Sequence, residues 1–303
     1  MSKNTITIDP RDLDSMISIM DKYHETKTML PGINEDGERT YASIFEDRIV
    51  IETYQKHHWV RKNVYWRDGT REELFDRKWE DLTMNTTEII NLLSQQHLKN
   101  VRAKVDKPSL LLIGSHSSPF LRSVNRLAEQ VGIDSHILSY LPPLLGNTRV
   151  VIDRETYAGV VPLHPEYDVD NLYNPGMSCV AEAAYELLFD SVALEGKTVT
   201  IVGRGHAVKG LAEKLLGLNA TVTVAHSYTK DLYRTMNGQD VVVLATPVVP
   251  AFPLANEMVL DIGGTLPKEM VEQLPPGCQY EGRIGKLTNS ILLARAAGVY
   301  HEI

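Results

Sequence analysis

The sequence predicts an α/β protein: a Rossmann-like parallel-sheet cofactor domain, an α/β substrate domain, and an atypical α+β N-terminal extension. Three observations carry this. From Pro108 onward short apolar runs alternate with helical ones, the texture of parallel α/β structure. Within that region TVTIVG (198–203) runs through a glycine-rich turn into HAVKGLAEKLLGL and then ATVTVAH, one βαβ unit. Before Pro108 the chain carries turn and cap signals but no glycine-rich motif.

Taken in order, Asp9-Pro10 is a helix start, followed by Leu13, Met16, Ile17 and Met20 at helical spacing. Residues 48–66, RIVIETYQKHHWVRKNVYW, are rich in β-branched and aromatic residues and read as strands closed by the Asp68-Gly69 turn. Thr70 with Glu73 predicts a capped helix through Trp79. Asn85 with Glu88 predicts another, carrying Ile89, Ile90, Leu92 and Leu93. SLLLIGS (109–115) is a buried strand and the segment after it a helix with Leu121, Val124 and Leu127 near one face. ILSYL (137–141) and AGVVPL (158–163) are further strand candidates; Met177 to Phe189 is a helix. VVVLAT (241–246) and MVLDIG (258–263) continue the sheet, and LTNSILLARAAG (287–298) closes the chain.

Composition narrows the function. With 303 residues and 43 % apolar content the chain can build two ordinary cores. A net charge of −8 argues against a nucleic-acid partner. No stretch is apolar enough to span a membrane and no secretory pattern opens the chain, so a cytoplasmic location is expected. Cys179 and Cys278 fit no metal-ligand spacing; they suggest buried thiols in a reducing compartment, and no metal is expected.

The glycine turn is the chemical signal. Gly203 permits a tight turn and Gly205 lets backbone N–H groups approach phosphate, but the usual third glycine would be residue 208, which is Val208; the next is Gly210. At the end of the second strand an NAD enzyme often places a carboxylate. Here His226, Ser227, Tyr228, Thr229 and Lys230 stand there, with Arg204 in the turn, donors suited to a 2′-phosphate; Asp231 keeps NAD open beside NADP. His57, His58, Trp59, Arg61, Lys62, Tyr65 and Trp66 form a cluster able to receive an anionic or aromatic ligand, or simply to face solvent on a hairpin.

Together GRGHAVKG, NATVTVAHSYT and VLDIGG resemble, in the same order, the GRS-x-x-VG, ATVT-x-x-HS-x-T and VIDVG segments of the methylenetetrahydrofolate dehydrogenase/cyclohydrolase family. YDVDNL (167–172) is similar to its KDVDG segment, and GRIGKLTNSILLARA (282–296) to its GGVGP-x-T-x-x-x-LL ending. The resemblance implies that Gly203, Arg204 and Gly205 bind pyrophosphate, that His226, Ser227 and Thr229 bind the adenosine ribose, and that Thr246, Pro247, Gly263 and Thr288 lie on the nicotinamide side. Asp170 matches the aspartate that binds the pterin ring.

Departures matter as much. The family's tyrosine and lysine, four residues apart on one helix, fall on Phe120 and Val124; its Q-L-P glutamine falls on Tyr140, and the serine after Gly-Arg is Gly205. Oxidising a methylene bridge between two nitrogens needs positioning more than acid or base, whereas ring opening by water needs a positioned general acid/base. An NAD(P)-dependent dehydrogenase on a one-carbon folate, without the cyclohydrolase step, is therefore expected. Alternatives are an oxidoreductase for another carbon–nitrogen substrate and a non-catalytic nucleotide-binding module. Asp170 and Tyr140 are the substrate-side candidates, with His116, in a loop where open sheets place ligand contacts, a third. The expected domains are the extension 1–107, a substrate domain 108–175 completed by 287–303, and the cofactor domain 176–286. The resemblance also implies a homodimer paired through the cofactor domain.

Overall fold

The computed structural model describes residues 85–300, apart from 145, 158, 160–162 and 247–254, together with five strands between residues 26 and 76. Contacts divide the chain into two units, Met1–Met84 and Asn85–Ile303.

In the first unit β1 (Thr26–Ile33), β2 (Glu38–Ile44), β3 (Arg48–Gln55), β4 (His58–Trp66) and β5 (Arg71–Asp76) form an antiparallel meander in chain order. The expected strands at 48–66 are β3 and β4. The helix expected from Thr70 is not formed: Arg71–Asp76 pairs with β4, from Tyr65↔Arg71 to Arg61↔Asp76. Ladder pairing with β4 overrides the local capping pattern. The described residues of this unit are thus all strand. The helix expected after Pro10, and His57, lie outside the described residues.

The second unit opens with helix α1 (Thr86–Ala103), whose Asn85/Glu88 capping box forms in both directions. Its buried residues Ile89, Ile90, Leu93, Leu98 and Val101 recur at helical spacing, and α1 packs on the last helix, so the structure's division falls before α1 and not at residue 107. A three-stranded parallel sheet follows, ordered β7-β6-β8: β6 (Ser109–Ile113), β7 (Ser135–Leu138) and β8 (Thr148–Ile152), with α2 (Pro119–Gln130) between β6 and β7. Two expectations shift. The second strand ends at Leu138, before Tyr140, and the third is TRVVI rather than AGVVPL, several of whose residues lie outside the described ones. TRVVI wins its place because Val150, Val151 and Ile152 are buried while its backbone pairs with all five residues of β6.

Helix α3 (Cys179–Ser191), capped by Ser178, leads to β9 (Thr198–Val202). The chain then runs through a 3₁₀ turn, His206–Val208, to α4 (Leu211–Gly217), β10 (Thr221–Ala225), α5 (Leu232–Met236), β11 (Gln239–Leu244), β12 (Ala255–Asp261), α6 (Lys268–Val271), β13 (Gln279–Glu281) and α7 (Gly285–Ala296). The sheet is wholly parallel, ordered β10-β9-β11-β12-β13. Successive connections leave β9 in opposite directions, so the topological switch point lies between β9 and β11, where open α/β sheets bind ligands. The helix expected to start at His206 starts five residues later, because the glycine turn is longer than the fingerprint.

One core feature is unusual. Glu182 and Glu186, one turn apart on α3, are both fully buried. Arg295 of α7 pairs with Glu182 at 2.9 Å, while His97 of α1 and the Tyr300 hydroxyl meet Glu186 at 2.9 and 3.0 Å. Buried charges persist when paired and hydrogen-bonded, and here the pairs join α1, α3 and α7.

Candidate functional site

The glycine turn occupies the switch point. Gly203 adopts φ +129°, and a Cβ there would lie 2.5 Å from the Ala245 carbonyl oxygen, so no other residue fits without displacing β11. The Gly203 N–H donates to Ala225 O, the Ala245 N–H to Val202 O, and the Gly263 N–H to Leu244 O, which aligns the C-terminal edges of four strands. Gly205 is exposed with open space around it. Val208 is buried within the 3₁₀ turn, and the glycine the fingerprint lacks is supplied by Gly210, at φ +80° and close against Met177. Helix α4 starts directly after it.

This backbone encloses a cavity of about 430 Å³, lined by the turn itself and by Arg154, Leu172 and Val224. Arg154, Arg204 and Lys209 contribute cations, and no carboxylate lines it among the described residues. Neither Val208 nor Lys209 closes it. The Lys209 ammonium instead donates to the carbonyl oxygens of Asn171 and Asn174.

After β10, the His226 N–H donates to Thr229 Oγ1 and the Tyr228 N–H to His226 Nδ1, which closes the turn. Ser227 and Tyr228 are exposed at its tip. Thr246 and Gly263 adjoin at the ends of β11 and β12, with the Thr246 carbonyl beside Gly263. Pro247 lies outside the described residues. Thr288 is buried in α7 and its hydroxyl donates to Ile284 O, within its own helix.

On the substrate side, Asp168 builds the loop and Asp170 is presented by it. Asp168 accepts the backbone N–H groups of Leu172 and Tyr173 and the Asn174 amide. Asp170 accepts the Cys179 N–H at 2.6 Å, at the start of α3, and pairs with His206 Nε2 at 2.8 Å. The pterin-binding candidate is thus engaged by the glycine turn. Tyr140 is 62 % exposed, and His116 is exposed in the loop after β6. Val124 is fully buried on the core face of α2. Burial, reinforced by the Asp170 charge, pushes the Cys179 thiol well above its ordinary range, so it remains protonated and is a structural group.

Sequence reasoning missed Arg154, His206 and Lys209. Arg154 follows a strand that was placed elsewhere; His206 and Lys209 were assigned to a helix, where their side chains had no reason to reach residues 170–174.

A parallel sheet with a glycine turn at its switch point and cations around the adjoining hollow defines a dinucleotide-binding protein. Residues 178–271 match the family described as tetrahydrofolate dehydrogenase/cyclohydrolase, NAD(P)-binding domain. The bifunctional protein FolD of Thermotoga petrophila is 30 % identical over 234 residues, which are 61 % of this chain and 86 % of the relative. FolD of Thermosipho africanus is 25 % identical over 254 residues, 68 % of this chain and 92 % of the relative. The crystal structure of the bifunctional FolD of Campylobacter jejuni superposes with TM-score 0.55 at 19 % identity, covering 71 % of this chain and 95 % of that one. The chain belongs to the tetrahydrofolate dehydrogenase/cyclohydrolase family, and residues 178–271 are matched by its NAD(P)-binding domain.

Proposed function

We propose that the protein is an NADP-dependent dehydrogenase of a one-carbon folate that lacks the coupled ring-opening step. The observation that carries this is the 430 Å³ hollow at the switch point, glycine-floored and lined by Arg154, Arg204 and Lys209. The fit is favourable: the Gly203 position leaves the backbone bare where a diphosphate would approach, and cations without a lining carboxylate favour an anion. Gly203, Arg204 and Gly205 would hold the diphosphate, and His226, Ser227 and Thr229 the adenosine ribose. The relative from Trypanosoma brucei, 21 % identical, was crystallised with NADP and an inhibitor, which supports the choice of NADP. When bound, the nicotinamide supplies the hydride-accepting carbon.

The chain's own residues do the remaining work. Asp170 holds the Cys179 N–H and His206, so the 168–174 loop and the glycine turn keep a fixed geometry. Val124 offers no proton donor or acceptor and Tyr140 is exposed, so neither of these two positions would supply a positioned acid or base for ring opening. The engagement of Asp170 by His206 favours a second reading, hydride transfer at another carbon–nitrogen bond, because a carboxylate already paired binds a pterin less readily. Cytoplasmic location and homodimer formation belong to this proposal; among the described residues no helix is long and apolar enough to cross a membrane.

Calorimetric titration of NADPH and NADH, followed by absorbance of the reduced nicotinamide formed from NADP⁺ with methylenetetrahydrofolate or consumed from NADPH with a panel of imines, tests it. NADPH binding with folate turnover is expected. Turnover of an imine alone would select the second reading, and absence of nucleotide binding would defeat both.

A further inference from the structure

Three acidic side chains are fully buried among the described residues: Glu182, Glu186 and Asp261. The first two are met by Arg295 and His97. No ion pair holds Asp261 among the described residues, and its carboxylate accepts only from neutral donors: the Leu266 N–H at 2.8 Å and the Thr265 and Tyr280 hydroxyls, each at 3.3 Å. Burial first, and then the Asp261 charge, push the Tyr280 hydroxyl up to about 12, so it stays protonated and donates. A buried carboxylate without a cation is costly. An asparagine would satisfy the same neighbours, its oxygen accepting from Leu266 and Tyr280 and its NH₂ donating to the Thr265 hydroxyl. The charge itself is therefore the feature to be explained.

Its place in the sheet supplies a reason. Asp261 is the last residue of β12 and pairs with Leu244, the last of β11, at the C-terminal edge of the sheet. The chain turns directly after it: the Gly264 N–H donates to the Asp261 carbonyl oxygen, and a Cβ at Gly263 would lie 2.7 Å from the Thr246 carbonyl oxygen. In the order β10-β9-β11-β12-β13, Asp261 is two strands from the glycine turn and three from the His226 turn. At about 4.8 Å per strand that is roughly 10 and 14 Å across the sheet. A dinucleotide with its diphosphate at the glycine turn and its adenosine ribose at the end of β10 would extend its other end toward β11 and β12.

We propose that Asp261 sets the redox form of the cofactor this protein holds, its buried negative charge favouring the cationic nicotinamide of NADP⁺ over the neutral ring of NADPH. The inference rests on the cofactor reading above. It needs no contact with the ring, because a charge held away from water acts over several ångström. The phosphates are common to both redox forms, so their repulsion by Asp261 cancels in the comparison.

The test is titration calorimetry of the full chain with NADP⁺, NADPH and 2′,5′-ADP, which carries the adenosine end without nicotinamide, in the unmodified protein and in Asp261→Asn and Tyr280→Phe. The unmodified protein should bind NADP⁺ more tightly than NADPH. Asp261→Asn should weaken NADP⁺ by about threefold or more relative to NADPH and leave 2′,5′-ADP unchanged. Tyr280→Phe removes one hydrogen bond and keeps the charge, so it should leave the ratio of the two redox forms as it was. The proposal is overturned if Asp261→Asn keeps the ratio of the unmodified protein, if Tyr280→Phe shifts it as far, or if all three ligands weaken together, the result of a merely structural role. Should Asp261→Asn fail to fold, the unmodified protein decides: tighter binding of NADPH than of NADP⁺ overturns the proposal. Binding of none of the three ligands defeats the cofactor reading, and this inference with it; nucleotide binding with an unchanged ratio defeats this inference alone.

Discussion

The loop after β6 and the turn after β9 solve one local problem, passing from an inner parallel strand to a helix, and they present opposite surfaces. The loop after β6 satisfies itself. Ser115 and Ser117 hydroxyls bond each other at 2.7 Å, the Ser115 N–H donates to Thr156 Oγ1, and Ser118 caps α2. Behind it, α2 turns Val124 into the core. The turn after β9 closes a hollow around bare backbone and cations. The difference teaches that one loop leaves an open, electropositive hollow beside it while the helix after the other turns Val124 into packing.

The sharpest way to break that comparison is Val124→Lys. At a fully buried site an ammonium loses its hydration, and we expect a loss of about 3–5 kcal/mol in denaturant unfolding, with no ring-opening activity gained. A lysine accommodated without cost would show that α2 is not committed to the core. Next, Gly203→Val forces a side chain onto the Ala245 carbonyl at a left-handed φ; a loss of about 1–3 kcal/mol is expected together with nucleotide binding, and retained NADPH affinity would contradict the assigned floor. Arg204→Gln removes only a lining charge, so NADPH should bind about tenfold more weakly, roughly 1.4 kcal/mol, at unchanged melting temperature. The smallest effect is expected from Ser118→Ala, about 1 kcal/mol of stability through the lost α2 cap, with nucleotide affinity untouched; coupling between the two would show that the loops are not independent.

Much of this was legible in the sequence. The parallel strands announced themselves as uninterrupted apolar runs, and the switch-point turn by its glycines. Local cap chemistry was a less even guide. Asn85/Glu88 and Thr70/Glu73 carry the same signature, yet only the first opens a helix, because the residues after Thr70 have a strand to pair with and those after Asn85 have an apolar stripe to bury. Strand β8 was concealed by the proline-rich segment before it and by the Asp-Arg after it, and with it went Arg154. The ties from His206 and Lys209 to residues 170–174 span about 35 residues of chain and depend on a helix starting late, which no local pattern encodes.

Those ties reach further than the hollow they border. His206 and Lys209 leave the same short turn and grip one loop at three points, Asp170 by its carboxylate and Asn171 and Asn174 by their carbonyl oxygens. Glycine turn and 168–174 loop are therefore a single prefabricated block, and any partner molecule meets a surface whose two halves can shift only together.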